Sequence, residues 1–457
     1  MPLLQRLSPQ WLMAFGFLAV ILTGTFLLSL PAANADGQWE AFLSALFTAT
    51  SATCGAGLSV IDIGSELTRF GQMTVLGLIQ TGALGITSFG TFLLVIVGRR
   101  LSVQSEFVLM DAYGVGEVKG LRSLLLWSIG FTFLFEMVGT LILWTRYLAP
   151  APGAPALSDG WDAVYYAAFH AVSAFCNAGF SLHPDNLIAF RSDYVFLHVI
   201  NVLSFFGAIG FLVTYNLVTI KFWRRNLKTR GRISLHSKIA LSTTFILILT
   251  GTALFLAQEW SNTLAGQPLA GKITCALFQA VSPQAAGFNA VPMDHVRETT
   301  RFTTTTLMLI GGSPGSAAGG IKTTTLAVLV MTIIAMCKGR KETIIFSRAI
   351  PNTIVRESHV IFLLALCCVL VAYGTLLFTE FPLRPDDAYK LLFETVSAAA
   401  TSGLSINHTP SLSPAGRWVI MICMFLGRLG PLTIALMIGT RDEGQRIRYP
   451  EEEIVVG

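Results

Sequence analysis

The sequence predicts an all-α integral membrane protein built from four unequal repeats around one central pore. Each repeat consists of an outer helix, a re-entrant pore helix with a filter loop, and an inner helix, giving eight crossings in total. Three observations lead there: apolar runs long enough to cross a bilayer, a Phe, Ser, Gly register that recurs between those runs, and basic residues gathered in alternate loops.

Of the 457 residues, 53% are hydrophobic and 12% are charged, about half the charged share of a soluble domain, so the chain belongs in a bilayer. The stretches Trp11 to Leu30, Ser123 to Trp144, Tyr194 to Ile220, Ile239 to Leu256 and Val360 to Phe378 approach or exceed the roughly 20 residues a helical span needs. The net charge of +5 is modest, and its placement says more. The linker from Lys221 to Lys238 carries Arg224, Arg225, Lys228, Arg230 and Arg232 without one acid, which makes it cytoplasmic by the positive-inside rule. Arg99 with Arg100, and Lys338, Arg340 and Lys341, fall on the same side, while Asp36, Glu40, Asp62 and Glu66 fall outside. With eight crossings and Arg6 near the start, both termini are cytoplasmic. Such basic runs also suit nucleic acid or anionic lipid, but in a short loop between spans the topological reading is favoured and no nucleic-acid partner is expected.

Pro31 to Ala35 after the first apolar run resembles a signal cleavage site, yet that run exceeds a signal core of about 7 to 15 residues and pairs with later segments as the first member of a repeat. The seven cysteines lie in or beside apolar segments, with no CxxC and no histidine at metal-ligand spacing, so neither a disulfide framework nor a structural metal is expected.

The repeats are Leu46 to Ser59, Ala168 to Ser181, Leu277 to Asn289 and Leu392 to Ser405. In each, Phe47, Phe169, Phe278 or Phe393 is followed four residues on by Ser51, Ser173, Ser282 or Ser397, and then by Gly57, Gly179, Gly287 or Gly403. An amphipathic surface helix with a glycine turn explains one copy; four copies in one register, each between two spans, point to a pore-loop module. The stretches are too short to span, and irregular backbone at membrane depth survives only where it is buried or lines a cavity. The repeats divide the chain at residues 1–110, 111–232, 233–345 and 346–457.

A filter for a weakly hydrated cation needs oxygens aimed at an axis, and backbone carbonyls provide them without fixed charge. Glycine turns such carbonyls inward because it tolerates positive φ. The candidate filter segments are Cys54, Gly55, Ala56 and Gly57; Cys176, Asn177, Ala178 and Gly179; Gln284, Ala285, Ala286 and Gly287; and Ala400, Thr401, Ser402 and Gly403. None is charged, which favours K⁺, Rb⁺ or Na⁺ over Ca²⁺, with K⁺ expected at the carbonyls of the four glycines. Pore helices that aim their C-terminal ends inward also favour a cation.

The third inner segment is interrupted by Gly311, Gly312, Ser313, Pro314, Gly315, Ser316, Ala317, Ala318, Gly319 and Gly320. No helix tolerates that insert, so a flexible loop is expected within the membrane, buried in protein. Following the third filter, it reads as a gate. A structural break without a gating role is the alternative, and a phosphate-binding loop is disfavoured because no GK[ST] follows. Charges at membrane depth mark function by default, here Glu136, Lys322 and Arg428. Lys322 and Arg428 suit electrostatic restraint of the loop; the alternatives are snorkelling to the cytoplasmic edge or pairing with Glu136 or Glu394.

The four glycine filters, the stretch Gly311 to Thr325, the stretch Gly427-Arg-Leu-Gly-Pro-Leu-Thr433 and the terminal Arg448-Tyr-Pro-Glu-Glu-Glu-Ile454 resemble the Trk/Ktr/HKT potassium transporter superfamily over essentially the whole chain. The short C-terminus is most similar to the membrane subunits of bacterial Ktr systems. The resemblance implies potassium uptake across the bacterial plasma membrane and sodium-dependent activation. It implies a homodimer with a pore in each protomer, docked on an octameric KtrA-like cytoplasmic ring of RCK subunits that carry the nucleotide. The four glycines would be the filter glycines, the loop and Arg428 the gate, and the Lys221 to Lys238 linker a docking surface. The family pattern usually has more Thr and Val in the first filter than Cys54 to Gly57, an Arg where Gln284 stands, and Thr-Gly where Ala317 and Ala318 stand. These departures bear on strictness of potassium selectivity.

A sodium- or proton-coupled secondary transporter would typically carry inverted repeats, whereas these four run in one orientation. An intramembrane hydrolase would need a nucleophile with a base; His170, His183 and His359 read as isolated and Ser313 as unpartnered, so no enzyme is expected.

Overall fold

The computed structural model describes residues 9–85, 121–155, 157, 159–219, 233–284, 286–382 and 386–430. Arg6, Arg99, Arg100, the linker residues 221–232 and the Arg448 to Ile454 motif lie outside the described residues.

Four outer helices, α1 (Pro9–Ser29), α4 (Leu121–Leu148), α8 (Leu235–Glu259) and α12 (Asn352–Thr379), open the four repeats. Among the described residues they are the unbroken helices long and apolar enough to cross a membrane. Phe26, Leu141, Phe245 and Val371 stand exposed on them, which is stable only where lipid covers the outer face. Hydroxyls on them bond back to their own helix where Thr25 Oγ1 donates to Ile21 O (2.8 Å) and Thr132 Oγ1 to Ser128 O (2.8 Å), since hydrocarbon offers no partner.

The short helices expected as pore helices are α2 (Phe42–Cys54), α5 (Gly160–Phe175), α9 (Leu269–Val281) and α13 (Asp387–Ala400), of 13 to 16 residues. At 1.5 Å per residue they reach about 20–24 Å, short of the roughly 30 Å hydrocarbon core. The repeated phenylalanines Phe47, Phe169, Phe278 and Phe393 are at most 1% exposed. They explain why the register survives: each anchors a pore helix in the protein interior.

The inner helices are α3 (Arg69–Leu84), α6 (Tyr194–Ala208), α10 (Glu298–Met308) and α14 (Pro414–Leu429). A continuous crossing from Tyr194 to Ile220 was the expectation; instead α6 is followed, after Ile209 and Gly210, by α7 (Phe211–Thr219) with a bend of 94°. The third inner segment resumes after its loop as α11 (Thr323–Cys337). One glycine spacing recurs in all four inner segments, Gly82-x-x-Gly85, Gly207-x-x-Gly210, Gly312-x-x-Gly315 and Gly427-x-x-Gly430, whose second glycines take φ of 78°, 87°, 71° and 85°; α3 and α14 end directly before Gly85 and Gly430. Left-handed backbone at that position ends a helix, and glycine is the residue that adopts it without strain.

Each outer helix, or the residues just after it, also holds the start of the inner helix. Thr68, the N-cap of α3, donates its hydroxyl to Ala32 O (2.6 Å). Arg146 of α4 grips the α6 cap Asp193 through two nitrogens (2.9–3.2 Å). Glu259, fully buried at the end of α8, accepts from Arg297 N (2.9 Å), Asn262 Nδ2 (2.7 Å), Thr263 Oγ1 (2.9 Å) and Thr300 Oγ1. Glu380, beyond α12, accepts from the N-cap residue Ser413 through its Oγ (2.6 Å). The all-α class holds, with one two-stranded turn among the described residues. Strands β1 (Ile344–Ile345) and β2 (Arg348–Ala349) pair antiparallel around a tight turn at Phe346 and Ser347. All seven cysteines are free thiols.

Replacing Glu259 by Ala takes the acceptor from five donors, the Thr263 backbone N–H (3.3 Å) included, at about 1–3 kcal/mol for the groups left unpaired. The detergent-solubilised variant is expected to unfold several degrees lower; an unchanged melting temperature would show that these donors find other partners.

Candidate functional site

The four repeated turns meet. Gly57, Gly179, Gly287 and Gly403 have φ of 70°, 71°, 73° and 90°. A methyl on Gly57 would lie 2.8 Å from Gly403 Cα and 3.4 Å from Gly179 Cα; one on Gly179 would lie 2.8 Å from Gly287 Cα, and one on Gly287 3.2 Å from Gly403 Cα. These approaches close a ring, 57 to 179 to 287 to 403 and back, in which each glycine's missing side chain faces a neighbour's backbone. Backbone cannot swing aside as a flexible side chain can, so any Cβ there is excluded by sterics as well as by φ.

How each turn forms is written in the serine register. The Ser51, Ser173 and Ser397 carbonyls accept from Ala56 N (2.9 Å), Ala178 N (2.8 Å) and Ser402 N (2.9 Å), five residues on. Gly55, Asn177 and Thr401 between them are left-handed, with φ of 65°, 52° and 49°. This pairing of a long bond with a left-handed residue is the Schellman ending of a helix. In the shorter third copy Ser282 O accepts from both Ala286 N (2.9 Å) and Gly287 N (3.3 Å); Ala285 lies outside the described residues. Three of the four hydroxyls bind the far side of the turns as well: Ser173 Oγ donates to Phe180 O (2.8 Å), Ser282 Oγ donates to Phe288 O, and Ser397 Oγ accepts from Gly403 N (3.2 Å). Cys54 and Ala400 are the last helical residues, Cys176 caps α5, and Gln284 closes a 3₁₀ turn. These four lie at helix ends, behind the turns.

The turns are braced from behind. Inner-helix glycines Gly82, Gly207 and Gly427 press against the carbonyls of Thr53, Phe175 and Ala399, leaving no room for a methyl. The Asn177 amide bridges α6, donating to Ser204 O (3.2 Å) and accepting from Ala208 N (3.1 Å). Thr401 is β-branched and left-handed, an unfavourable pairing; its Oγ1 accepts from Gly319 N (3.0 Å), tying the fourth turn to the intramembrane loop. Ser402 Oγ donates to Pro283 O (3.0 Å), tying it to the third.

The loop expected to be flexible is held at many points. Gly311 N donates to Ile321 O (2.9 Å), Ser313 N to Ala208 O (2.8 Å), Ala317 N to Gly207 O (3.2 Å), and Phe211 N to Gly315 O (3.0 Å). The loop therefore packs into the bend between α6 and α7, with Ser313, Ala317 and Ala318 buried. Arg428 donates to Ala317 O of the loop and to Gly82 O at the end of α3, so one guanidinium links three inner segments. Lys322 Nζ donates to Ala318 O (2.6 Å). Neither cation pairs with Glu136 or Glu394. Glu394, wholly buried, accepts from Ser405 Oγ (2.5 Å), Ile406 N (3.0 Å) and Thr409 Oγ1 (2.6 Å).

Two readings of side chains as solitary need correction. His170 and His183 stack with ring centroids 5.2 Å apart, and Tyr147 Oη sits 3.1 Å and 3.0 Å from their nitrogens. Ser313 Oγ lies 3.0 Å from Thr323 Oγ1. Long sequence separation hid the first pair, and an intervening glycine run the second. The Gly-x-x-Gly repeat and the pinning role of Thr401 were missed too. Aligning the inner segments as the filters were aligned reveals the glycines; Thr401 carries no signal in the sequence.

Residues 13–444 match the model of the family TrkH, described as a cation transport protein. The chain belongs to this family. Membership makes it a multi-pass membrane transporter, not an enzyme. Ktr system potassium uptake protein B of Bacillus subtilis is 36% identical over 455 residues, covering 99% of this chain and 97% of the relative. Potassium/sodium uptake protein NtpJ of Enterococcus hirae is 33% identical over 459 residues, covering 99% and 98%. Among solved structures, the crystal structure of the potassium transporter TrkH from Vibrio parahaemolyticus superposes with a TM-score of 0.69 at 18% identity, covering 93% of this chain and 85% of that one. That match establishes the TrkH-like fold.

Alanine at the turn glycines and at Gly153 separates strain from crowding. Gly153 has φ of 87° with open space around its Cα, so Gly153→Ala should cost about 1 kcal/mol. Gly57→Ala adds contact with Gly403 and should cost about 2–4 kcal/mol, read as a larger drop in thermal stability. Equal drops would mean that the turns are not packed against one another.

Proposed function

We propose that this chain is the ion-conducting membrane subunit of a potassium uptake system, passing K⁺ into the cell through the ring of glycine turns. The convergence of Gly57, Gly179, Gly287 and Gly403 carries the reading. Four left-handed turns lie within contact of one another, with the carbonyl oxygens of Ala178, Ser402 and Ala56 at 2.7, 2.9 and 3.0 Å from where Gly57, Gly287 and Gly403 would carry a methyl; in this reading such uncharged oxygens face one axis and replace the hydration shell of a monovalent cation. The four repeats, divided at residues 110, 232 and 345, each supply one wall, and α2, α5, α9 and α13 direct their partly negative C-terminal ends toward the ion. The similarity to proteins named for potassium uptake supports K⁺ as the cargo, and that to a protein named for potassium and sodium uptake keeps Na⁺ as a competitor.

The loop from Gly311 to Gly320 with Lys322 is the gate in this reading, and Arg428 is its latch. The latch consists of charge-assisted hydrogen bonds, each worth about 1.5–3 kcal/mol, enough to bias a two-state loop strongly. Eight crossings with both termini in the cytoplasm put the basic linker on the face where an octameric nucleotide-binding RCK ring would dock. Homodimerisation and activation by Na⁺ belong to the same proposal.

Uptake of radioactive Rb⁺ into proteoliposomes, competed by K⁺ or Na⁺, tests the reading beside Gly287→Ser. Competition by K⁺ but not Na⁺, with discrimination reduced about tenfold or more in the variant, is the expected outcome; equal competition, or indifference to the substitution, would refute a filter at that glycine. Arg428→Ala should raise uptake by the subunit alone about tenfold or more. Unchanged or lower uptake in a folded variant would remove the latch.

A further inference from the structure

Behind the second turn lies a buried carboxyl that the pore reading does not use. Glu136, on the outer helix α4, is 5% exposed. Gln80 Nε2 of α3 lies 3.4 Å from its Oε2, Cys176 Sγ lies 3.6 Å from its Oε1, and the same sulfur lies 3.5 Å from Gln80 Oε1. The three side chains thus form a triangle linking an outer helix, an inner helix and the residue that precedes the left-handed Asn177.

Counting protons around that triangle gives its state. A thiol has one proton, and here it faces two acceptors, Glu136 Oε1 and Gln80 Oε1. With an ionised carboxylate, one of those oxygens is left unpaired in a dry site, a costly arrangement. With one proton on Glu136 the ring closes: the Glu136 hydroxyl donates to Cys176 Sγ, the thiol donates to Gln80 Oε1, and the Gln80 amide donates to Glu136 Oε2. Among the described residues no cation forms an ion pair with the carboxyl. Arg428 is engaged with Ala317 O and Gly82 O, Lys322 with Ala318 O, and Arg146 of the same helix with Asp193. From α3 it meets Gln80 and from α5 the Cys176 thiol, which itself lies within electrostatic reach of Arg428, as does the Cys54 thiol; among the described residues α6 and α7 present it no charged group.

We propose that Glu136 is a proton-binding site behind the second turn, and that its bound proton, by closing the ring with Cys176 and Gln80, positions that turn for discrimination between K⁺ and Na⁺. This rests on the pore reading above for its consequence, but not for the proton itself. Loss of the proton leaves two acceptors competing for one thiol hydrogen, moves Cys176 away from Gln80 and shifts the adjoining Asn177 and Gly179 backbone. Glu136 is a positioning residue: it touches no ion.

The experiment pairs infrared spectroscopy of the full chain with Rb⁺ uptake across a pH series, for the wild type, Glu136→Gln and Glu136→Ala. Glutamine donates to the sulfur permanently, as the protonated acid does. The wild type should show a protonated-carboxyl band at neutral pH that Glu136→Gln lacks. Its preference for K⁺ over Na⁺ as competitor should fall about tenfold as the pH is raised to alkaline values, the effect of losing one buried hydrogen bond, while Glu136→Gln holds it throughout. Glu136→Ala, checked for folding by size-exclusion chromatography, should lack the preference at every pH. A missing band, or the same alkaline decline in Glu136→Gln as in the wild type, overturns the proposal. If wild-type uptake ignores K⁺ at every pH, the pore reading fails, and the band alone decides the proton.

Discussion

Four backbones approach one another where no side chain fits. Gly57, Gly179, Gly287 and Gly403 each need left-handed φ, and each fills with its bare Cα the space that a neighbour's Cβ would take. The rest of the described structure serves that approach. The short helices α2, α5 and α13 end in Schellman turns that deliver the chain to it, the phenylalanines fix how deep the four short helices sit, and the inner-helix glycines Gly82, Gly207 and Gly427 let a second layer press directly on the carbonyls behind it. A ring of this kind is cheap in side chains and demanding in backbone, which explains why uncharged, mostly small residues occupy it.

The same economy couples the ring to the segment beneath. The loop from Gly311 to Gly320 has little helix propensity, and its order comes from partners elsewhere: Ala208 and Gly207 at the bend of α6, Thr401 in the fourth turn, and Arg428 at the end of α14. Since Arg428 also binds Gly82 O, movement of the loop is felt at the end of α3. Thr401 holds a backbone conformation that its β-branched side chain disfavours, in exchange for one hydrogen bond to that loop. This set of contacts crosses all four repeats.

Much of this was legible in the sequence because it is periodic or compositional. Outer spans follow from apolar length, pore helices from the Phe, Ser and Gly register, and the interrupted third segment from glycine and proline. The bend between α6 and α7 was not legible, because Tyr194 to Ile220 is apolar without interruption and a Gly-x-x-Gly within it is weak punctuation when read alone. Pairings between distant residues were also hidden. Arg428 with Gly82, Thr401 with Gly319, and the His170, His183 and Tyr147 cluster depend on how the repeats pack, which no local pattern encodes. The likeness to relatives at 33% and 36% identity establishes the family, while the roles of individual residues rest on this chain's own geometry.

The central claim is that one monovalent cation site lies on the axis of the four glycine turns. Crystals of the protein soaked in Tl⁺ or Rb⁺, with anomalous scattering used to find the ion, address it most directly. The expected result is a peak on that axis, among the carbonyls of the turns at Gly57, Gly179, Gly287 and Gly403, which disappears when Na⁺ replaces the heavy cation. Ordered peaks elsewhere in the membrane-embedded part with none on the axis would contradict it.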